Sequence, residues 1–170
     1  MKAWYMNEED GDQCAEHKCV PNKEVSSEEL EKIGVLSYHV DGAEDEKFKT
    51  ICLERGYTYQ DEVCVSDENP NLAQMLHNFY QEHIHDDEEI RLCLEGSGYF
   101  DVRDQADKWV RVCLLPGDMI ILPAGIYHRF TLDENRFIRA RRMFVGEPVW
   151  TPHNRPCDDR PARKAYVDSL

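Results

Sequence analysis

No stretch of the chain approaches the ~18 consecutive apolar residues that cross a bilayer as a helix, and the acidic opening MKAWYMNEEDGD holds none of the apolar core of a secretory leader. Neither membrane insertion nor export by that route is expected. Positive charge is scarce, with 20 Lys and Arg against 34 Asp and Glu and a formal charge of −14. Phosphate backbones and anionic headgroups are bound chiefly through Lys and Arg, so nucleic acid and membrane surfaces are not expected as partners. The seven cysteines include no CxxC pair, and their odd number does not make a disulfide framework. A reducing compartment is expected, the cytoplasm or the nucleus. No repeat and no low-complexity tract interrupts the sequence.

What is present argues for one folded unit. At 170 residues with 41% hydrophobic content, the chain has the size of a single domain and enough apolar matter for a sizeable core. Although 32% of residues are charged, aromatics reach 10%, more than a solvated chain carries.

The first part of the chain mixes short periodic pieces with acidic turns. Ser26 and Glu29 have the spacing of a capping box, and Leu30 and Ile33 give the apolar face of a short helix that stops at Gly34. Phe48, Ile51 and Cys52 predict a second helix closed near Gly56; Leu72, Met75, Leu76 and Phe79 predict a third. Residues 2–6, 35–40 and 57–65 read as strands, and 10–23 as loop. From there the texture changes to short strands at 89–94, 99–103, 109–114, 119–122, 127–132 and 137–145, punctuated by Gly and Pro turns, which predicts an antiparallel sandwich or barrel. The expected organisation is a single domain: an N-terminal α/β elaboration over 1–78, a barrel core over 79–147 and an extended tail over 148–170 wrapping the barrel.

His83 and His85 are two residues apart, so on an extended strand their rings point the same way, and Glu89 shares that parity. Beyond them Gly117, Pro123, Gly125 and His128 follow at fixed spacing, and a fourth ligand at His128 converges on the others if the sheet closes on itself. Glu-His83-Ile-His85-Asp-Asp-Glu-Glu89 with Gly96, and Gly117-x5-Pro123-x-Gly125-x2-His128, resemble the two cupin motifs. Three neutral imidazoles and one carboxylate suit divalent iron, nickel, manganese or cobalt, and six-coordinate geometry leaves two cis positions open for chemistry. Parity favours Glu89 over its neighbour Glu88; Asp86, Asp87 and Glu88 read as an acidic rim. Cys14, His17 and Cys19 lack a second matching pair, so no second metal is expected there.

Arg91 shares the parity of Glu89, and Arg142 interrupts an apolar row of Ile138, Ala140 and Phe144. An unpaired guanidinium inside a barrel is costly, so each must meet either a carboxylate such as Glu95 or an anionic substrate. Phe79 and Phe130 flank the motifs and read either as core or as the wall of an apolar substrate pocket. Tyr80, Tyr99, Tyr127, Trp109 and Trp150 read as core, and Cys52, Cys64, Cys93 and Cys113 as buried small hydrophobes. His39, His77 and His153 have no partner pattern.

The runs Phe79 to Arg91, Gly96 to Asp104, Leu122 to Phe130 and Phe144 to Trp150, with Ala3-Trp4-Tyr5-Met6 near the start, resemble the eukaryotic acireductone dioxygenases of the cupin superfamily over nearly the whole chain. The resemblance implies a mainly β fold, the double-stranded β-helix or jelly-roll barrel, with a few short helices in the N-terminal part. It implies a methionine-salvage dioxygenase that uses one Fe2+ or Ni2+ per monomer to cleave acireductone with O2. With iron the products are 4-methylthio-2-oxobutanoate and formate; with nickel they are 3-methylthiopropanoate, formate and CO. His83, His85, Glu89 and His128 become the metal ligands, Arg91 and Arg142 the catalytic partners of the ionised enediol, and Phe79 and Phe130 the holders of its methylthio tail. Residence in both cytoplasm and nucleus and regulatory protein partners are further family traits, and a monomer is the simplest state for so acidic a surface. The second cupin motif commonly ends in Asn four residues after its histidine, where this chain has Leu132. Two other readings stay open: a cupin enzyme acting on another enediol or diketone, and a non-catalytic regulatory protein.

Overall fold

Alternation of apolar and polar residues, broken by turn-forming Gly, Pro and Asp, sets strands throughout this chain, and helices appear only where caps enclose a helical apolar face. The computed structural model describes residues 1–170. In chain order the elements are β1 (Lys2–Tyr5), α1 (Ser27–Glu31), β2 (Leu36–His39), α2 (Glu46–Arg55), β3 (Tyr59–Ser66), α3 (Leu72–Tyr80), β4 (His83–Ile84) and β5 (Glu89–Gly96), then β6 (Gly98–Arg103), β7 (Trp109–Leu114), β8 (Asp118–Leu122), β9 (His128–Leu132), β10 (Phe137–Phe144), β11 (His153–Asn154) and α4 (Pro161–Ser169). The capping box forms as the sequence predicts: Ser26 Oγ accepts from the Glu29 amide, and the Glu29 carboxylate accepts from the Ser26 amide. Asp45 caps α2, and Gly56, at φ 71°, ends it in the left-handed conformation that glycine adopts without strain.

The strands form two antiparallel sheets, a six-stranded one in the order β1-β7-β6-β9-β4-β11 and a five-stranded one in the order β2-β8-β5-β10-β3. They face one another as a jelly roll. The three N-terminal strands extend these sheets: β1 pairs with β7, β2 with β8 and β3 with β10. The larger core lies between the sheets, where Phe100, Val102, Leu114, Ile120, Leu122 and Ile138 are among its buried members. A second core backs the five-stranded sheet, with Phe48, Ile51 and Cys52 of α2 packed over Ile90, Leu92, Met119, Ile121 and Met143. In β5 the even positions therefore face α2, and Glu89, Arg91 and Cys93 face the barrel interior.

On the outer face of the six-stranded sheet, fully buried Arg111 is paired through Nε and Nη2 with Asp101 and donates to the carbonyls of Gln13 and Ala15. Arg129 also reaches Asp101, at 2.8 Å. Charge pairing with satisfied hydrogen bonds lets these groups be buried, and it fastens the irregular 13–15 segment onto the barrel.

Three expectations need correction. The tail is extended only in part: after β11, which pairs with β4, it forms α4, begun by Pro161 at a first-turn position that tolerates proline. Trp150 is 41% exposed and lies over Phe144 near the barrel mouth, outside the core. Cys64 is exposed because the outward parity of β3 at Gln60, Glu62 and Cys64 places it on the solvent side.

Candidate metal centre

The centre is assembled from both sheets. His83 and His128 stand directly opposite one another on β4 and β9. The chain leaves β4 after Ile84, so His85 sits just past its end, with its carbonyl accepting from the Gly125 amide at 3.0 Å. Gly125 has φ 82° and lies so close to the Ala162 carbonyl that a Cβ there has no room, so only glycine fits between the centre and α4. Residues 86–88 bend away, and Glu89 opens β5 in the other sheet. The parity argument thus singles out the carboxylate that stands with the three rings, although no continuous strand joins His83 to Glu89.

One ligand atom from each of His83, His85, Glu89 and His128 lies within 4.8 Å of the others. Nδ1 of the three rings is 2.6, 3.1 and 2.9 Å from the carbonyl oxygens of Gln81, Thr151 and Ile126 respectively. A carbonyl only accepts, so each Nδ1 carries the proton and each Nε2 keeps its lone pair. Nε2 of His128 and His85 are 2.8 and 3.2 Å from Glu89 Oε2. Lone pairs and a carboxylate at this range repel unless a cation lies among them, and the donor set therefore fits a divalent metal ion. Burial, then the neighbouring His128, pushes His83 down to about 4, which keeps its ring neutral. Burial opposes the charge of Glu89, but the Arg91 guanidinium beside it favours the carboxylate and holds the carboxyl below its usual range.

The acidic rim does not ligate through Glu88 or Asp86. Glu88 receives Arg55 and the Tyr57 hydroxyl, and Asp86 receives Arg160 and His153. Cys14, His17 and Cys19 do not converge either: Cys14 Sγ faces Thr131, His17 is held by Asn7 and the Asp12 carbonyl, and Cys19 Sγ points to the Tyr5 carbonyl.

Beside Glu89 a cavity of about 90 Å³ runs into the barrel, walled by Phe79, Phe130, Val63 and Ala140 and bearing Arg91 and Arg142. Phe79 and Phe130 meet edge to face at 6.1 Å. Arg91 Nη2 is 3.0 Å from Glu89, and Nη1 donates to its own strand at the Ile90 carbonyl. The predicted carboxylate for Arg142 is corrected: Glu95 pairs with Arg139 outside the barrel, and Arg142 makes a two-pronged bond to Asp61 at 2.7 and 2.8 Å. Sequence reasoning missed Asp61, although it shares the inward parity of Val63 and Val65 on β3 and was legible on that ground. It also missed the Thr151 carbonyl behind His85, which no sequence pattern announces because a backbone acceptor has no residue identity.

A jelly roll holding three imidazoles and one carboxylate at the seam of its sheets, beside an apolar cavity with cationic groups, defines a mononuclear metal cupin. The family model described as ARD/ARD′ matches residues 2–152, and by that match and by its relatives the chain belongs to the acireductone dioxygenase family. It is 52% identical over 172 residues to "Acireductone dioxygenase" of Branchiostoma floridae, covering 100% of this chain and 97% of the relative. It is 53% identical over 175 residues to "Acireductone dioxygenase 2" of Vitis vinifera, covering 100% and 87%. A solved structure, "Acireductone dioxygenase from Bacillus anthracis with cadmium ion in active center", superposes with a TM-score of 0.73 at 26% identity over 89% of this chain and 97% of that one.

Proposed function

We propose that this chain is a methionine-salvage dioxygenase, cleaving acireductone with O2 to 4-methylthio-2-oxobutanoate and formate when loaded with iron, and to 3-methylthiopropanoate, formate and CO when loaded with nickel. The observation that carries the reading is the placement of the His83, His85, Glu89 and His128 cluster against a cavity that is apolar at Phe79, Phe130 and Val63 and cationic at Arg91 and Arg142. An ionised enediol with a methylthio tail has that same polarity, charged at one end and apolar at the other.

His83, His85, Glu89 and His128 would hold one Fe2+ or Ni2+. When bound, the ion supplies Lewis acidity toward the enediol oxygens. Arg91 and Arg142 offset the charge of the enediolate and orient it, since a guanidinium keeps its proton under all working conditions. Phe79 and Phe130 hold the tail and keep water from the reacting carbons. The backbone carbonyls of Gln81, Thr151 and Ile126 keep the imidazole rings in the tautomer that presents Nε2 inward. The seven free cysteines and the acidic surface support residence in the cytoplasm and nucleus as a monomer.

Elemental analysis of the purified protein, followed by anaerobic exchange of iron for nickel and product assay with acireductone and O2, tests the proposal. The expected result is formate from both forms and CO from the nickel form alone. Bound metal without consumption of acireductone would sink the substrate assignment and favour a cupin acting on another enediol.

A further inference from the structure

β3, β10 and β5 lie side by side, and their register puts Asp61, Arg142 and Arg91 in one row across the sheet. Arg142 is directly opposite both others. Two guanidiniums facing each other on adjacent strands repel, and here the pair stands half-buried at the head of an apolar cavity. Stability does not account for such a pair. Each cation is steadied from its far side, Arg91 by Glu89 and Arg142 by Asp61.

The two steadying carboxylates differ in what else they do. Glu89 belongs to the metal cluster, whereas Asp61 neither lines the cavity nor reaches the metal ligands. Its one strong partner is Arg142, taken at both Nε and Nη2 in the planar two-pronged geometry that fixes a guanidinium's orientation as well as its place. The face of the same guanidinium lies 3.8 Å from the centre of the Trp150 ring. Edge and face are thus both held, and Nη1 is left with no hydrogen-bond partner in the protein.

We infer that Asp61 is a positioning residue for the substrate anion: by clamping two of the three nitrogens of Arg142, it leaves Nη1 as the one nitrogen without a protein partner and sets its direction toward an anion shared with Arg91. The inference rests on the proposed reading of the site, in which an enediolate occupies the cavity. A purely structural ion pair at this exposure contributes little to stability, so the two roles predict different results.

The test is anaerobic binding of acireductone to the metal-loaded protein, followed by steady-state turnover in O2, for wild type, Asp61→Asn, Arg142→Ala and the double variant. Asp61→Asn keeps the size of the side chain but loses its charge and faces an amide NH2 to one guanidinium nitrogen. Its dissociation constant and KM for acireductone are expected to rise roughly 10- to 100-fold, the penalty for a misdirected binding group, with metal-to-protein ratio and Tm unchanged. In the Arg142→Ala background the same substitution should add nothing, because its effect passes through Arg142. Asp61→Glu, which restores the charge, should recover part of the loss. An Asp61→Asn protein with wild-type affinity, or one that loses the same factor again without Arg142, overturns the inference. A wild type that takes up metal but binds no acireductone overturns the reading of the site, and this inference with it.

Discussion

His128 shows how much chemistry one buried side chain carries in this molecule. It is 2% exposed, its Nδ1 is engaged by the Ile126 carbonyl, and its Nε2 lies closest of the rings to Glu89. His128→Ala is expected to cut bound metal per protein by at least tenfold and to abolish turnover, while the metal-free Tm falls by only roughly 2–8 °C, because one side chain supplies far less than the core. Elemental analysis and a thermal melt of the same sample check both halves. The thiols give a second prediction. Burial pushes Cys93 up to about 12, so it stays a protonated, unreactive thiol at pH 8, whereas Cys64 stands in solvent. Brief alkylation of the native protein at pH 8 should modify Cys64 and spare Cys93, as read by peptide mass; prompt labelling of Cys93 would show that the wall it occupies opens readily.

At the scale of elements, the tail does more than cover the barrel. β11 pairs with β4, placing Asn154 opposite His83, and the Thr151 carbonyl accepts a hydrogen bond from His85 Nδ1. A chain ended at Gly146 retains all four ligand residues yet is expected to bind metal roughly 10- to 100-fold more weakly, the usual effect of removing outer partners of a metal site. Competition with a chromogenic chelator measures it. Elements set by local chemistry were legible in the sequence: the Ser26 capping box, the Gly56 stop, and the strands of the β5 to β10 region. The His83, His85, Glu89 and His128 set was legible too, through spacing. What could not be read depends on neighbours distant in sequence. Asp61 acquires its meaning only from a β3 to β10 register, α4 folds against Gly125 and Ile33, and Trp150 is drawn from the core to the mouth by its contact with Arg142.

For the molecule as a whole, a formal charge of −14 favours small cations over anions in the surrounding solution, an effect that salt weakens. A metal bound only by the folded state stabilises that state by mass action, about 2.7 kcal/mol at a free concentration 100 times Kd. Tm is therefore expected to rise by roughly 5–10 °C on loading and to fall back on treatment with a chelator, as followed by calorimetry. The candidate ligands come from two sheets, with His83 and His128 in one and Glu89 in the other. An ion held in this way would be a rivet through the seam of the barrel, bound from both layers at once, and its exchange is expected to be slow because ligands of both layers must let go. On the proposed reading of the site, the product pattern of a given molecule would then be set at its first loading and kept for many turnovers, as a kinetic inheritance from maturation. A pulse of nickel added to the iron form should leave the product pattern unchanged over the time of an assay.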